Sequence, residues 1–92
     1  MIIRQLFYRF AWPCRRMDKD QIKIAFGEHL TRLRMERELS IHKLAEASDL
    51  EYSHVQRIEK GKVNAALTTL AALAQGLDMS LEELFSGFNA PQ

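Results

Sequence analysis

The spacing of apolar residues between positions 18 and 88 predicts a chain of short helices. The first helix carries an apolar stripe at steps of four, four and three, formed by Ile22, Phe26, Leu30 and Leu33. Asp18 and Gln21 have the spacing of a capping box, in which the carboxylate accepts a backbone amide and the amide side chain reaches back. We therefore expect this helix to begin at Asp18 and to run to about Glu38.

Two further helices are predicted on either side of a tight turn. Ser40 can accept the first free amides of the second helix, whose inward residues are expected to be Ile41, Leu44, Ala45 and Ser48. Polar residues from Asp49 to Glu51 interrupt the periodicity before Val55 and Ile58 resume an apolar i, i+3 step. Gly61 then supplies a left-handed residue that ends the third helix.

The last part of the chain predicts two more helices and completes an all-α body. The inward face of the fourth is indicated by Leu67, Leu70, Ala71, Ala74 and Leu77. Ser80 and Glu83 form a second capping box, which opens a final turn or two. We divide the chain into an N-terminal arm (1–17), one helical domain (18–88) and a short tail (89–92).

Length and composition restrict the class of protein. A chain of 92 residues with 47% apolar and 27% charged residues can build one small core, which excludes a multi-domain enzyme with a deep cleft. No run of 18 or more apolar residues is present, so we predict no membrane span. The single cysteine, Cys14, has no partner for a disulfide or a zinc site, which fits a reducing compartment, and we expect a cytoplasmic protein.

The arm differs from the body in charge and in aromatic content. Residues 1–16 hold four arginines and no acid, whereas 17–92 hold the other nine basic residues and all twelve acids, a net charge of −3. The arm also contains four of the eight aromatic residues, which are Phe7, Tyr8, Phe10 and Trp12. Two interpretations stay open. The arm either covers apolar surface on a neighbouring subunit, or lies upstream of a natural start at Met17.

The ordered residues from Phe26 to Phe85 resemble the Cro/C1-type, or XRE-like, helix-turn-helix family of bacterial and phage regulators. The residues that carry the resemblance are Leu33-Arg34, Leu39-Ser40, Leu44-Ala45, Leu50, Val55, Ile58-Glu59, Gly61-Lys62, Thr69-Leu70, Leu77, Ser80-Leu81 and Leu84-Phe85. The resemblance implies a five-helix, lambda-repressor-like domain whose third helix, about 52–60, enters the major groove of double-stranded DNA. It further implies a homodimeric transcriptional regulator, and it favours a repressor.

The family's base-reading positions fall here on Tyr52, Ser53, Gln56 and Arg57. Arg57 can fork onto guanine O6 and N7, and Gln56 can pair with adenine N6 and N7. Ser53 can donate or accept, and Tyr52 can contact a thymine methyl group or a phosphate. Contacts to the DNA backbone are expected from His42, Lys43, His54, Lys60, Lys62 and Asn64. A plain surface role is the alternative for each of these polar residues.

Departures from the family pattern weaken some of these expectations. Ile41 stands where the family commonly has a glutamine that contacts phosphate and base, so that contact is expected to be lost. Asp49 replaces the usual glycine of the turn, and we expect it to adopt a left-handed conformation at some cost. In the family, the positions of Arg34 and Glu59 form a largely buried ion pair, so we interpret both residues as structural.

Catalysis and metal binding find little support. Glu51 and His54 match half of a di-metal carboxylate motif, but the second half is missing, so we predict no metal, no cofactor and no enzyme activity.

The subunit interface is expected at Leu81, Leu84, Phe85 and Phe88. The alternative function is a protein-interaction module of the same fold, such as an antitoxin-like partner-binding protein, which the net charge of −3 and the missing glutamine favour.

Overall fold

The computed structural model describes residues 18–89 and shows five α-helices in that range. They are α1 (Lys19–Glu36), α2 (Ile41–Ser48), α3 (Tyr52–Glu59), α4 (Leu67–Gly76) and α5 (Leu81–Phe85). The predicted all-α, five-helix fold is therefore confirmed. The predicted arm, 1–17, and most of the predicted tail lie outside the described residues. None of the five helices combines the length and the apolar character that crossing a bilayer requires.

Three helices begin at the capping side chains that the sequence predicts. The Asp18 carboxylate accepts from the amides of Asp20 and Gln21 at 3.0 and 3.3 Å, and the Ser40 hydroxyl accepts from the amide of Lys43 at 3.1 Å. Ser80 and Glu83 form the full reciprocal box, with distances of 3.1 and 2.8 Å. The hydrogen bonds of the described residues include none from the Gln21 side chain to Asp18, so that cap works in one direction only.

A residue with left-handed backbone follows the end of each of the five helices, including Asp78 after α4 and Gly87 after α5. Glu38 has a φ of 56°, Asp49 of 56° and Gly61 of 72°. The left-handed conformation of Asp49 confirms the prediction for the turn between α2 and α3. The first helix ends at Glu36, two residues before the predicted end, because left-handed backbone at Glu38 does not continue a right-handed helix.

The helices enclose one core of ten buried apolar side chains. They are Phe26, Leu30, Leu44, Ala45, Val55, Ile58, Leu73, Ala74, Leu77 and Leu84. The predicted inward face of α4 is partly wrong, because Leu67 is 69% exposed and Ala71 is exposed, whereas Leu73 is fully buried. The sequence of α4 is apolar on nearly all sides, so spacing alone does not determine which side faces the core.

Two glycines allow pairs of helices to approach closely. A Cβ atom at Gly27 of α1 would collide with the backbone carbonyl of Glu59 at the end of α3. A Cβ atom at Gly76 of α4 would collide with the hydroxyl of Ser48 on α2. These contacts join α1 to α3 and α2 to α4, and so they fix the positions of both helices of the helix-turn-helix unit.

The C-terminal residues fold back onto α1. The rings of Phe85 and Phe88 lie 5.8 Å from that of Phe26, and the buried His29 donates from Nε2 to the carbonyl oxygen of Leu84 at 2.6 Å. Leu84 is wholly buried in the core of its own subunit. The prediction that Leu84 lies at a subunit interface is therefore wrong, because its side chain has no surface left to offer a second copy.

Candidate functional site

The helix-turn-helix unit consists of α2, the turn at residues 49–51, and α3. Leu44 and Ala45 anchor α2 in the core, and Val55 and Ile58 anchor α3. The turn is closed by the amide of Leu50, which donates to the carbonyl oxygen of Ala45 at 2.9 Å. Because both helices are held by buried residues on one side, their opposite sides are left for contact with another molecule.

The outer side of α3 brings together the four residues predicted to read bases. Tyr52, Ser53 and Arg57 are exposed, and Gln56 is half-buried. At 100° per residue these positions span one face of the helix, opposite Val55 and Ile58. The prediction that Val55 and Ile58 point into the core is confirmed. The face offers a phenol, a hydroxyl, an amide and a guanidinium, which together can donate to and accept from base edges.

The six residues predicted to contact the DNA backbone lie around this face. His42 and Lys43 are exposed in the first turn of α2, while Lys60, Lys62 and Asn64 are exposed in the segment that follows α3. His54 is half-buried at the edge of the α3 face, next to the position of Arg57. The lysines of this set therefore lie at the start of α2 and beyond the end of α3.

One contact within this surface was not foreseen from the sequence. The rings of His42 and Tyr52 have centroids 5.9 Å apart and planes inclined at 48°. The two residues are ten positions apart, on different helices, and both are exposed. No spacing rule within a single helix identifies such a pair, because the turn geometry brings the two helix starts together.

Glu51 has a place at this surface that the sequence analysis did not predict. It is the N-cap residue of α3, with extended backbone, and its side chain makes no capping hydrogen bond. Its carboxylate is exposed beside Tyr52, where it can accept from the N4 amino group of cytosine and would repel a phosphate. The signal in the sequence is an acidic residue directly before the predicted reading helix.

A buried ion pair fixes the far end of α3. Arg34 Nε donates to Glu59 Oε2 at 2.7 Å and Arg34 Nη2 donates to Glu59 Oε1 at 3.1 Å. The side chains are only 14% and 7% exposed. Arg34 Nη1 also donates to the carbonyl oxygen of Leu39, and the Thr31 hydroxyl lies 3.0 Å from Glu59 Oε1. The predicted ion pair is confirmed, and its role is to hold α3 against α1.

The side chains of this surface are polar or cationic, apart from the exposed carboxylate of Glu51. Within residues 18–89, no three His, Cys, Asp or Glu side chains lie together as a metal site requires. One displaced pKa lies away from the site: the backbone amide of Ser80, and then its hydroxyl, lower the pKa of the Glu83 carboxyl. This surface is suited to binding a polyanion that itself carries hydrogen-bond donors and acceptors.

Comparison with known proteins supports this interpretation. Residues 25–85 match the family model described as a helix-turn-helix domain. Control protein C.MunI of a Mycoplasma species is 41% identical over 68 residues, which cover 73% of this chain and 92% of that protein. The transcriptional regulator PuuR of Escherichia coli is 38% identical over 63 residues, which cover 68% of this chain and 34% of PuuR.

A solved structure shows the same fold. The crystal structure of the restriction-modification controller protein C.AhdI from Aeromonas hydrophila matches with a TM-score of 0.66 and 38% sequence identity. The match covers 68% of this chain and 96% of the C.AhdI chain. The similarity therefore extends over nearly the whole length of both small controller proteins, C.MunI and C.AhdI.

Proposed function

Because the chain belongs to the XRE-like helix-turn-helix family of bacterial transcriptional regulators, we propose that it binds double-stranded DNA sequence-specifically as a homodimer and represses transcription. The observation that carries the proposal is the orientation of α3, which buries Val55 and Ile58 and leaves Tyr52, Ser53 and Arg57 exposed. A helix of about 10 to 12 Å diameter fits the major groove, where each base pair presents a distinct pattern of donors and acceptors.

Each outward residue of α3 has a defined chemical role in this proposal. Arg57 donates two hydrogen bonds to guanine O6 and N7, and Gln56 pairs with adenine N6 and N7. Ser53 donates or accepts according to the base, and Tyr52 contacts a thymine methyl group or a phosphate. These contacts determine which sequence is bound.

The surrounding residues hold the domain on the duplex without reading its sequence. Lys43 contacts a phosphate at the start of α2, and His54, Lys60, Lys62 and Asn64 contact phosphates along α3 and beyond its end. The body of the chain has a net charge of −3, so these few side chains, rather than the charge of the whole domain, supply the attraction.

A homodimer doubles the number of base pairs that are read. One helix of eight residues covers only a few base pairs, whereas two half-sites about 34 Å apart combine their discrimination. We place the interface on Leu81, Phe85 and Phe88. Phe85 and Phe88 line an apolar cavity of about 130 Å³ together with Phe26 and Leu70, and covering it in a dimer would remove this surface from water.

The similar proteins suggest which genes are regulated. C.AhdI, with 38% identity over nearly all of its chain, is described as a restriction-modification controller protein. We extend the proposal accordingly: the operator of this chain lies upstream of genes of a restriction-modification system.

Selection of binding sites from a pool of random duplexes tests DNA binding and symmetry together. We expect an enriched sequence with two inverted half-sites whose centres are separated by about one helical turn. Sedimentation of the protein alone should give the mass of a dimer, and Leu81→Glu should shift it toward the monomer. An unenriched pool would contradict the proposal, and a single enriched half-site would contradict the dimer.

A protein-interaction module of the same fold is the second candidate, favoured by the net charge of −3 and by Ile41 in place of the family's glutamine. A salt titration distinguishes the two functions. Phosphate contacts make the logarithm of the binding constant fall steeply with the logarithm of the salt concentration. A module that binds only a protein partner shows no duplex binding, even at low salt.

A further inference from the structure

The contact between the rings of His42 and Tyr52 joins the two helices at the end of the outer surface. His42 is the second residue of α2, and Tyr52 is the first residue of α3. Their centroids are 5.9 Å apart. Among the aromatic contacts of residues 18–89, this is the one that involves Tyr52. Tyr52 is 45% exposed, so a large part of this residue is open to solvent.

The position of Tyr52 at the start of α3 explains why its contact with His42 is important. Side chains in a helix lean toward the N-terminus, over the preceding turn. No helical turn of α3 precedes Tyr52, because Glu51 has extended backbone. Tyr52 therefore has no preceding turn of its own helix to pack against, and His42 on α2 is the aromatic residue that its ring contacts.

We propose that His42 is a positioning residue, which fixes the ring of Tyr52 and thereby sets the base preference at one edge of the half-site. The inference rests on the proposed function, since it concerns how α3 reads DNA. It gives His42 a role different from the phosphate contact predicted from the sequence. A phosphate contact acts through charge, whereas the positioning role acts through the shape of the imidazole ring.

Preordering a side chain lowers the entropy that binding would otherwise cost. Immobilising one flexible side chain at an interface weakens association by about two- to tenfold. If His42 already restrains Tyr52 in the free protein, its removal should weaken binding by about that factor and relax the preference at the base pair that Tyr52 contacts. The slope of affinity against salt concentration should not change, because no phosphate contact is lost.

A double-mutant cycle tests the inference on the duplex selected as the preferred site. Binding is measured for wild type, His42→Ala, Tyr52→Ala and the double variant, on the preferred duplex and on duplexes altered at each base pair. We expect His42→Ala and Tyr52→Ala to relax the same base pair. The effect of His42→Ala should disappear when Tyr52 is already alanine, because residues that act as a unit are not additive.

Two further variants separate shape from charge. His42→Phe keeps a ring beside Tyr52 and should restore both the affinity and the base preference that His42→Ala loses. Lys43→Ala is the matched control in the same exposed turn of α2. It should flatten the salt dependence, weaken all duplexes alike and add independently to Tyr52→Ala. Because His42, Lys43 and Tyr52 are exposed, we expect the variants to keep the melting temperature of wild type. An unchanged melting temperature shows that a variant is folded.

An NMR measurement on the free protein supplies a readout without DNA. The ring protons of His42 should shift when Tyr52 is replaced by leucine, since the ring current of the phenol is then lost. An unchanged spectrum would overturn the inference, and so would an additive cycle or a flattened salt slope in His42→Ala that phenylalanine does not restore. If wild type binds no duplex, the proposed function fails and the inference fails with it. An additive cycle in a wild type that binds DNA rejects the inference alone.

Discussion

Arg34 on α1 and Glu59 at the end of α3 form a two-pronged ion pair, with hydrogen bonds of 2.7 and 3.1 Å and very little exposure to solvent. Neither side chain faces the outer surface that we assign to DNA. Their pairing holds the reading helix in place, so a substitution here alters binding through the fold rather than through a lost DNA contact. This distinction determines how binding data for such variants should be interpreted.

Arg34→Ala should destabilise the domain by about 3 to 5 kcal/mol, because it leaves the Glu59 carboxylate buried without its partner. Urea unfolding followed by circular dichroism measures the loss. Arg32→Ala is the matched control, since Arg32 is exposed on the same helix, and it should change stability by less than about 0.5 kcal/mol. Equal effects of the two variants would show that the ion pair is not structural.

Arg57→Ala should weaken binding to the preferred duplex by roughly 1 to 3 kcal/mol and relax the preference at one base pair. Its melting temperature should match that of wild type because Arg57 is exposed. Lys62→Ala should instead weaken all duplexes alike and reduce the salt slope by about 0.9. Fluorescence anisotropy on a panel of duplexes measures both. A loss of stability in Arg57→Ala with unaltered specificity would refute our orientation of α3.

Ser48→Ala should raise the free energy of unfolding by about 1 kcal/mol. The Ser48 hydroxyl is buried against α4 and finds no hydrogen-bond partner among the described residues, and a buried unsatisfied hydroxyl is costly. Ser40→Ala on the same helix should have the opposite effect and cost about 1 kcal/mol, because Ser40 caps the first turn. Destabilisation by Ser48→Ala would mean that its hydroxyl has a favourable partner.

Gly27→Ala should destabilise the domain, although alanine is normally the better helix former. The added Cβ atom collides with the carbonyl of Glu59, and overpacking of this kind costs about 1 to 3 kcal/mol. Glu28→Ala, at the next and exposed position of α1, provides the comparison and should have little effect. Thermal unfolding measures both variants, and a gain of stability in Gly27→Ala would contradict the close approach of α1 and α3.

Glu83 should make the stability of the domain depend on pH in the acidic range. The backbone amide and then the hydroxyl of Ser80 lower the pKa of the Glu83 carboxyl in the folded state, so the folded protein releases this proton more readily than the unfolded chain. The resulting stability is complete above the ordinary glutamate pKa of about 4 and is lost as pH falls through the lower folded pKa.

Melting temperatures of wild type and Glu83→Gln between neutral and strongly acidic pH measure this contribution. The two should differ at neutral pH and converge in acid, because protonation removes the charge that glutamine already lacks. Glu82→Gln, in the same turn of α5, serves as the control for a change of net charge alone. A constant difference between wild type and Glu83→Gln across the range would be inconsistent with the lowered pKa.

Local signals in the sequence predicted most of the helix boundaries. A cap depends on a side chain and a backbone amide two or three positions away, so Asp18, Ser40 and Ser80 identify helix starts without any knowledge of tertiary structure. The left-handed turn at Asp49 and the ion pair of Arg34 with Glu59 came from the family resemblance. Both are present in the structure.

The errors concern contacts between distant residues. The all-round apolar character of α4 hid the burial of Leu73 and the exposure of Leu67. His29 is polar, yet it is buried by a hydrogen bond to the carbonyl of Leu84, 55 positions away. The contact between His42 and Tyr52 depends on the angle between two helices, which neither helix encodes by itself.

The division of α3 into a buried side and an outer side has a consequence for how such regulators change their targets. Val55 and Ile58 pack in the core and hold α3 against the other helices. Tyr52, Ser53 and Arg57 are not part of the core. Under the proposed function, replacing these three exposed residues changes the DNA sequence that is bound without removing a side chain from the core. If α3 binds DNA as proposed, the specificity of the protein and the stability of its fold depend on different residues of the same helix.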